Sequence, residues 1–283
     1  MSPEVICVGA VTVDTIAVVD RAPGPDGRVV AEPFTVAGGG PAATAAVTLA
    51  RLGVPVGFCG VVGDDAEGAL SRALLEQAGV DTTWLATRPG VPTARSMIVV
   101  SREQGTRMIV TTPSAPVDVP PGAAPWLHAD QAGYPAVRGH TGARRSLDGG
   151  NPVPGLVASG LDLYAPSVEA LTAAFPAPTL ADSMRAAGAR QVVATAGADG
   201  CYVLVDGEAR HVPPVAAPSL VSTMGAGDVF HGALLAGLVQ GRSLLEAAWR
   251  ANAVAALSCR ALDGRTGIPD ADETERFLSK VET

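Results

Sequence analysis

An α/β chain with a parallel sheet at its centre, and a smaller β element beside it, is predicted by three features of the 283-residue sequence. Short uninterrupted apolar runs, beginning with Val5-Ile6-Cys7-Val8-Gly9, alternate with helical patterns, as strands buried on both faces do in βαβ units. Stretches 14–36 and 93–112 read as strands with no helix inside either, so they form a β element apart from the main sheet. Glycine-rich turns at 38–40 and 225–227 each run into an apolar helical pattern.

Along the chain, residues 12–19 are rich in β-branched side chains and extend the first strand region. Pro23, Gly24, Pro25 and Gly27 mark a turn, after which 28–36 reads as extended and hairpin-like. A glycine loop, Gly38-Gly39-Gly40, then feeds an alanine-rich helix that carries Pro41 at its start and Gly53 past its end. Residues 54–62 form a strand, 65–77 a helix ended by Gly79, and 82–86 a short extended piece. Runs 93–100 and 106–112, joined by Arg102-Glu103-Gln104-Gly105, make a hairpin. Five prolines in 113–125 make that segment a rigid extended connection. Strands at 126–130, 145–148, 161–165, 191–196 and 201–205 follow, with helices at 167–175, 179–187, 228–239, 243–258 and 271–281.

Composition narrows the function. Apolar residues make up 47% and charged residues 17%, an ordinary globular balance. The net charge of −8, with no basic run, excludes a nucleic-acid surface. Lys280 is the only lysine, so no G-x-x-x-x-G-K-[ST] loop exists, and phosphates would have to be met by main-chain amides, arginine or metal. Cys7, Cys59, Cys201 and Cys259 lie scattered in apolar segments with no secretory leader ahead of them, as buried thiols of a reducing cytoplasm do. The most apolar helix, 245–259, is interrupted by Glu246 and Arg250, so no membrane span is expected.

The stretch around Gly225-Ala226-Gly227-Asp228 carries the clearest chemistry. Side chains this small let a ligand approach the backbone, and a helix N-terminus offers amides to an anion. Asp228 either caps that helix or accepts a proton from a bound hydroxyl. Asp14 is either a satisfied turn residue or a carboxylate that receives hydrogen bonds from substrate hydroxyls. Gly38, Gly39 and Gly40 serve a ligand or tight helix packing equally well. Arg28, Arg95 and Arg107 fall on the strands of the small β element, where they are solvated charges or face an anionic substrate. The four histidines show no metal spacing.

The glycine loop near residue 40, Thr195-Ala196-Gly197-Ala198-Asp199-Gly200, and Gly225-Ala226-Gly227-Asp228, in that order, resemble the ribokinase/PfkB carbohydrate kinase family over nearly the whole chain. Stretches 38–46, 225–234 and 264–270 are most similar to its sulfofructose kinase group. The resemblance implies a single kinase domain over 1–283, a three-layer α/β/α fold with a mostly parallel sheet, and a β-sheet lid formed by about 14–36 and 93–112. It implies ATP as donor, Mg2+, a small sugar as acceptor, and a homodimer through the lid.

It also implies site residues. Asp228 would be the base and the amides of Gly225, Ala226 and Gly227 would receive charge on the transferred group. Asp14, Gly38, Gly39, Gly40 and Thr111, with Arg28, Arg95 and Arg107, would meet the acceptor. Thr195, Gly197, Gly200 and Asn252 would flank the nucleotide. Glu169 would be linked to Mg2+, through water. The departures are specific. Ser222 replaces an aspartate that helps hold a monovalent cation, Pro166 the asparagine of the Asn-x-x-Glu element, and the sulfonate-holding lysine, asparagine and arginine correspond to Arg28, Thr111 and Ala132. A ketose or ketose-like acceptor is the expectation. A nucleoside kinase and a catalytically silent sugar or nucleotide sensor are the alternatives.

Overall fold

The computed structural model describes residues 2–119, 122 and 124–281. In chain order the first half contains β1 Val5–Val8, β2 Thr12–Val19, β3 Thr35–Gly39, α1 Pro41–Arg51, β4 Val56–Gly63, α2 Ala66–Gln77, β5 Leu85–Arg88, β6 Arg95–Ser101 and β7 Thr106–Thr111. The second half contains β8 Trp126–Ala129, α3 Tyr134–Val137, β9 Arg144–Gly149, β10 Leu163–Pro166, α4 Val168–Ala174, α5 Leu180–Ala187, β11 Val193–Thr195, β12 Cys201–Val205, β13 Glu208–Val212, α6 Ala226–Val239, α7 Leu244–Ser258 and α8 Ala271–Val281.

Six strands in the order β10-β9-β8-β1-β4-β5 form a wholly parallel sheet. Isolated parallel bridges link β10 to the region of β11, which begins an antiparallel β11-β12-β13 ladder. Successive strand side chains point to opposite faces, and β1 divides its residues accordingly. Val5 and Cys7 join a core with α1, α6 and α7, whereas Ile6 and Val8 join one with Leu171 of α4 and Met184 of α5. The sheet therefore sits between two helical layers. All four cysteines are buried and free of disulfides.

A second sheet, ordered β3-β2-β6-β7, stands apart from the first. β2 pairs antiparallel with β3 but parallel with β6, so the small β element is a mixed sheet. Its alternation is regular. Thr12 and Asp14 of β2, Ser96 and Ile98 of β6, and Ile109 and Thr111 of β7 turn towards one cleft. On the opposite face Val36, Thr15, Met97 and Val110 stand in register across all four strands.

Three expectations need correction here. Residues 28–34 form no strand, and pairing with β2 begins only at Thr35, opposite Ile16. Pro33, which has no amide hydrogen to donate, precedes that point. Gly38 and Gly39 are not a loop but the end of β3, paired with Val13 and Thr12, and only Gly40 turns the chain, at φ +94°. A side chain there would also strike the Ala10 carbonyl. The extended piece expected at 82–86 lies later, at β5, while β13 and the short α3 had no expectation attached. In the proline-rich connection, Pro113, Pro116 and Pro125 lie outside helices and strands; Pro120 and Pro121 fall outside the described residues.

Two features hold the cleft in place. Asp130, fully buried after β8, accepts hydrogen bonds from the amides of Ala10 (2.8 Å) and Ala42 (3.1 Å) through Oδ2, and from Ala132 (2.8 Å) and Gly133 (2.9 Å) through Oδ1. Helices α1 and α6 approach so closely that a Cβ at Gly232 would lie 2.7 Å from the Ala45 carbonyl oxygen. Gly232→Val therefore overpacks this contact, and we expect a loss of about 1–3 kcal/mol of stability, read as a lower urea midpoint at unchanged slope.

Candidate active site

The carboxyl ends of β1, β8, β9 and β10 face the inner side of the small sheet across a cleft of about 590 Å3. Crevices at strand carboxyl ends are where open α/β sheets bind ligands. Asp14 and Asp228 both line this cleft, as do Gly38, Gly39 and Gly40. Asp14 receives the Thr12 hydroxyl at 2.7 Å, and its carboxylate lies over Gly39, where a Cβ would fall 2.1 Å from Oδ2. That contact accounts for the glycine at this strand end.

Gly225 starts α6 in the left-handed conformation, at φ +70°, packed against Gly264. Ala226 donates its amide to the Thr223 carbonyl and Val229 donates to that of Gly225. The amides of Gly225, Gly227 and Asp228 have no acceptor among the described residues, as expected of a helix's first turn. Gly227 has open space around it. A cluster of free amides thus opens onto the cleft beside the Asp228 carboxylate.

The surroundings of Asp228 set its proton affinity. Burial, and next the Asp148 carboxylate and Asp130, push its pKa up to about 7 against the pull of His231 and Arg265. Arg265 lies buried beneath the glycines. Its Nε donates to Thr44 Oγ1 at 3.1 Å, one terminal nitrogen donates to the Gly39 carbonyl, and the other abuts Gly38, where a Cβ would come within 2.3 Å. Burial lowers its pKa to about 10, with Asp14, Asp228 and Asp263 opposing, so the guanidinium stays charged at neutral pH.

Of the other residues singled out in the sequence, Arg107, Thr111 and Thr195 line the cleft. Arg107 reaches across its mouth and donates to Thr223 Oγ1 at 3.0 Å. Arg28 and Arg95 do not line it: Arg28 lies exposed in the irregular segment before β3, and Arg95 is exposed and paired with Glu67 at 2.6 Å. Gly197 and Gly200 sit just beyond Thr195, outside the lining. Gly200 takes φ +84°, and a Cβ there would meet the Val212 carbonyl at 2.4 Å. Asn252 is buried and donates to the carbonyls of Val212 (3.3 Å) and Pro213 (2.9 Å), tying α7 to the end of β13. Glu169 is exposed in the first turn of α4. Thr111 and Ala132 both border the cleft.

Sequence reading passed over Asp148, His231 and Arg265. His231 follows Asp228 by three residues, which places both on one face of α6. Asp148 stands near the carboxyl end of a parallel strand, the one positional signal that could have marked it.

The chain matches the model of the pfkB family carbohydrate kinases over residues 2–132 and 156–271. It is 30% identical to a fructokinase of Klebsiella pneumoniae, covering 93% of this chain and 97% of that protein. It is 25% identical to a ribokinase of Haemophilus influenzae, covering 98% and 99%. A ribokinase structure from Thermotoga maritima superimposes with a TM-score of 0.84 at 25% identity, over 97% of this chain and 99% of that one. A ribokinase-like fold, a matching family model and a cleft that joins two carboxylates to free helix amides converge: the chain belongs to the pfkB family and is an ATP-dependent carbohydrate kinase.

Proposed function

We propose that the protein transfers the γ-phosphoryl group of ATP to a hydroxyl of a small ketose or ketose-like sugar, with Asp228 as the base. The observation that carries this reading is that Asp228, Asp14 and the Gly38–Gly40 strand end share one cleft with the unpaired amides of Gly225, Gly227 and Asp228. Asp14 receives hydrogen bonds from acceptor hydroxyls and aligns one of them with Asp228. The free amides receive charge developing on the transferred group. Asp228 takes the hydroxyl proton as the oxygen–phosphorus bond forms, and alignment supplies most of the rate because the transition state is loose. Thr195 and the turn at 197–200 border the nucleotide end.

Mg2+ fits this site in a limited way. Among the described residues no cluster of three His, Cys, Asp or Glu side chains could hold an ion. An ion carried by the phosphates and its own waters needs only one or two protein carboxylates; Glu169, exposed on α4 and outside the cleft lining, would reach such an ion only through water. When bound, Mg2+ neutralises phosphate charge. The Ser222 hydroxyl, at the monovalent-cation position, accepts the Met224 amide at 3.1 Å.

No aromatic ring of Phe, Tyr or Trp lines the cleft among the described residues, whereas Thr12, Ser96, Thr111 and Thr112 do. That lining supports a hydroxyl-rich acceptor over a nucleoside, whose base would stack on an aromatic face. Arg107 is the cleft-lining cation of the lid and supports an anionic or polar terminus on the acceptor. The outer face of the lid supports a second copy of the chain as partner. Met97 is 64% and Val110 72% exposed there, beside exposed Val36 and Met108. The buried free thiols support a cytoplasmic setting, and among the described residues no helix is long and apolar enough to cross a membrane.

Asp228→Asn is expected to reduce kcat about 10²–10⁴-fold with the acceptor KM little changed, and the native kcat/KM to fall as pH drops through about 7, where Asp228 takes up a proton. Full transfer by that variant would remove the proposed base. In a panel of fructose, fructose 6-phosphate, fructose 1-phosphate, sulfofructose, ribose and nucleosides, sugar-dependent ATP consumption is expected with ketoses. Arg107→Ala should raise KM selectively for the anionic ones, and turnover of nucleosides alone would reject the assignment. Sedimentation should give a dimer that Val110→Glu converts to monomer.

A further inference from the structure

Beside the proposed base lies a buried acid–histidine pair that the transfer chemistry does not use. His231 Nδ1 is 3.0 Å from Asp148 Oδ2, and each side chain is only 4% exposed while both border the cleft. The pair joins two elements: Asp148 stands near the end of β9, and His231 lies one helical turn beyond Asp228 on α6. The Gly150 amide donates to Asp148 Oδ1 at 2.8 Å, which fixes the carboxylate from its other side. A second histidine, His128 of β8, has its ring centre 6.5 Å from that of His231, and its Nδ1 faces the Ser146 hydroxyl at 3.0 Å.

The two rings are not equivalent. Burial, and then repulsion from His231, lowers the pKa of His128 to about 4, so that ring is neutral at physiological pH. Burial also disfavours charge on His231, but Asp148 and then Asp228 more than offset it and raise its pKa. Asp148 stays ionised despite its burial because of His231. The groups facing Asp228 are then Asp148 from β9, His231 from its own helix, Asp130 from the end of β8 and Arg265 from the loop after α7. Without His231, two further acids would stand against one buried guanidinium.

We propose that His231, held as an imidazolium by Asp148, is a positioning residue that favours the ionised form of the Asp228 carboxylate at the cleft. The inference rests on the reading of Asp228 as the base. It gives the Asp148–His231 pair a definite division of labour: Asp148 pushes a proton towards Asp228, and the imidazolium opposes that push, though by less than Asp148 exerts. A pair serving only to pack α6 against the sheet would leave the ionisation of Asp228 untouched.

The test is a titration of the free protein that needs no turnover, so it fails separately from the activity of Asp228→Asn. The carboxyl-carbon NMR signal of Asp228, assigned by its loss in Asp228→Asn, is followed against pH in the native chain, His231→Gln, Asp148→Asn and the double variant. His231→Gln should raise the apparent pKa of Asp228 by about one unit, a tenfold change in the ionised-to-neutral ratio. Asp148→Asn removes the acid together with the partner that holds His231 charged, so it should lower the Asp228 pKa and titrate like the double variant, both below His231→Gln. A pKa unmoved in His231→Gln, or moved in the same direction by both single changes, overturns the proposal. If His231→Gln does not fold, nitrogen NMR of the native His231 ring decides: protons on both ring nitrogens at pH 7 uphold it, and a neutral ring overturns it.

Discussion

A buried carboxylate that gathers amides from three separate parts of the chain is the constraint on which the cleft depends. Asp130 collects Ala10 from the end of β1, Ala42 from the start of α1, and Ala132 and Gly133 from its own turn. A charge taken out of water must be hydrogen-bonded, and four donors meet that requirement. The arrangement leaves no room for side chains nearby. A Cβ at Gly9 would fall 2.1 Å from Asp130 Oδ1, and one at Gly133 would fall 1.9 Å from the Val8 carbonyl oxygen. Gly9 is needed because the acid is there, and Gly133 because the turn that holds the acid lies against the β1 backbone. The floor of the cleft follows from their joint geometry.

A second layer of charge sits on this frame. Arg265 reaches under Gly38 and Gly39 from a loop adjoining the Gly225 turn, so the end of β3 and the start of α6 share one buried cation. The lid then covers them with alternate residues of β2, β6 and β7, while the intervening residues face outward. Polar lining and apolar outer surface therefore arise from the same four strands. Moving β2 by one residue would exchange Asp14 with an outward neighbour.

Much of this was legible in the sequence, and the division between what was and was not has a physical basis. The alternating apolar runs give the parallel sheet, because each run is short and buried on both faces. Asp228 and the glycines before it are legible because their chemistry is local: a helix N-terminus needs only adjacent residues. Gly38 and Gly39 announced themselves as glycines but not as a strand end, since Arg265 and Asp14, which require them, lie far off in the chain. Asn252, expected to flank the nucleotide, lies outside the cleft lining, and its two carbonyl acceptors around a distant strand end give it its place. His231, Asp148 and Asp130 went unread for the same reason, each having partners brought near only by sheet order.

The parallel pairing of β2 with β6 bears on how the chain is made. When β2 leaves the ribosome its antiparallel partner β3 follows soon after, but β6 emerges only after α1, β4, α2 and β5. Until then the edge of β2 that carries Asp14 is open to any other strand, and closing the intervening loop adds a conformational cost that a simple hairpin avoids. A carboxylate on an open strand, as Asp14 is on β2, is the kind of charge that discourages a half-synthesised chain from pairing with its neighbours on a polysome.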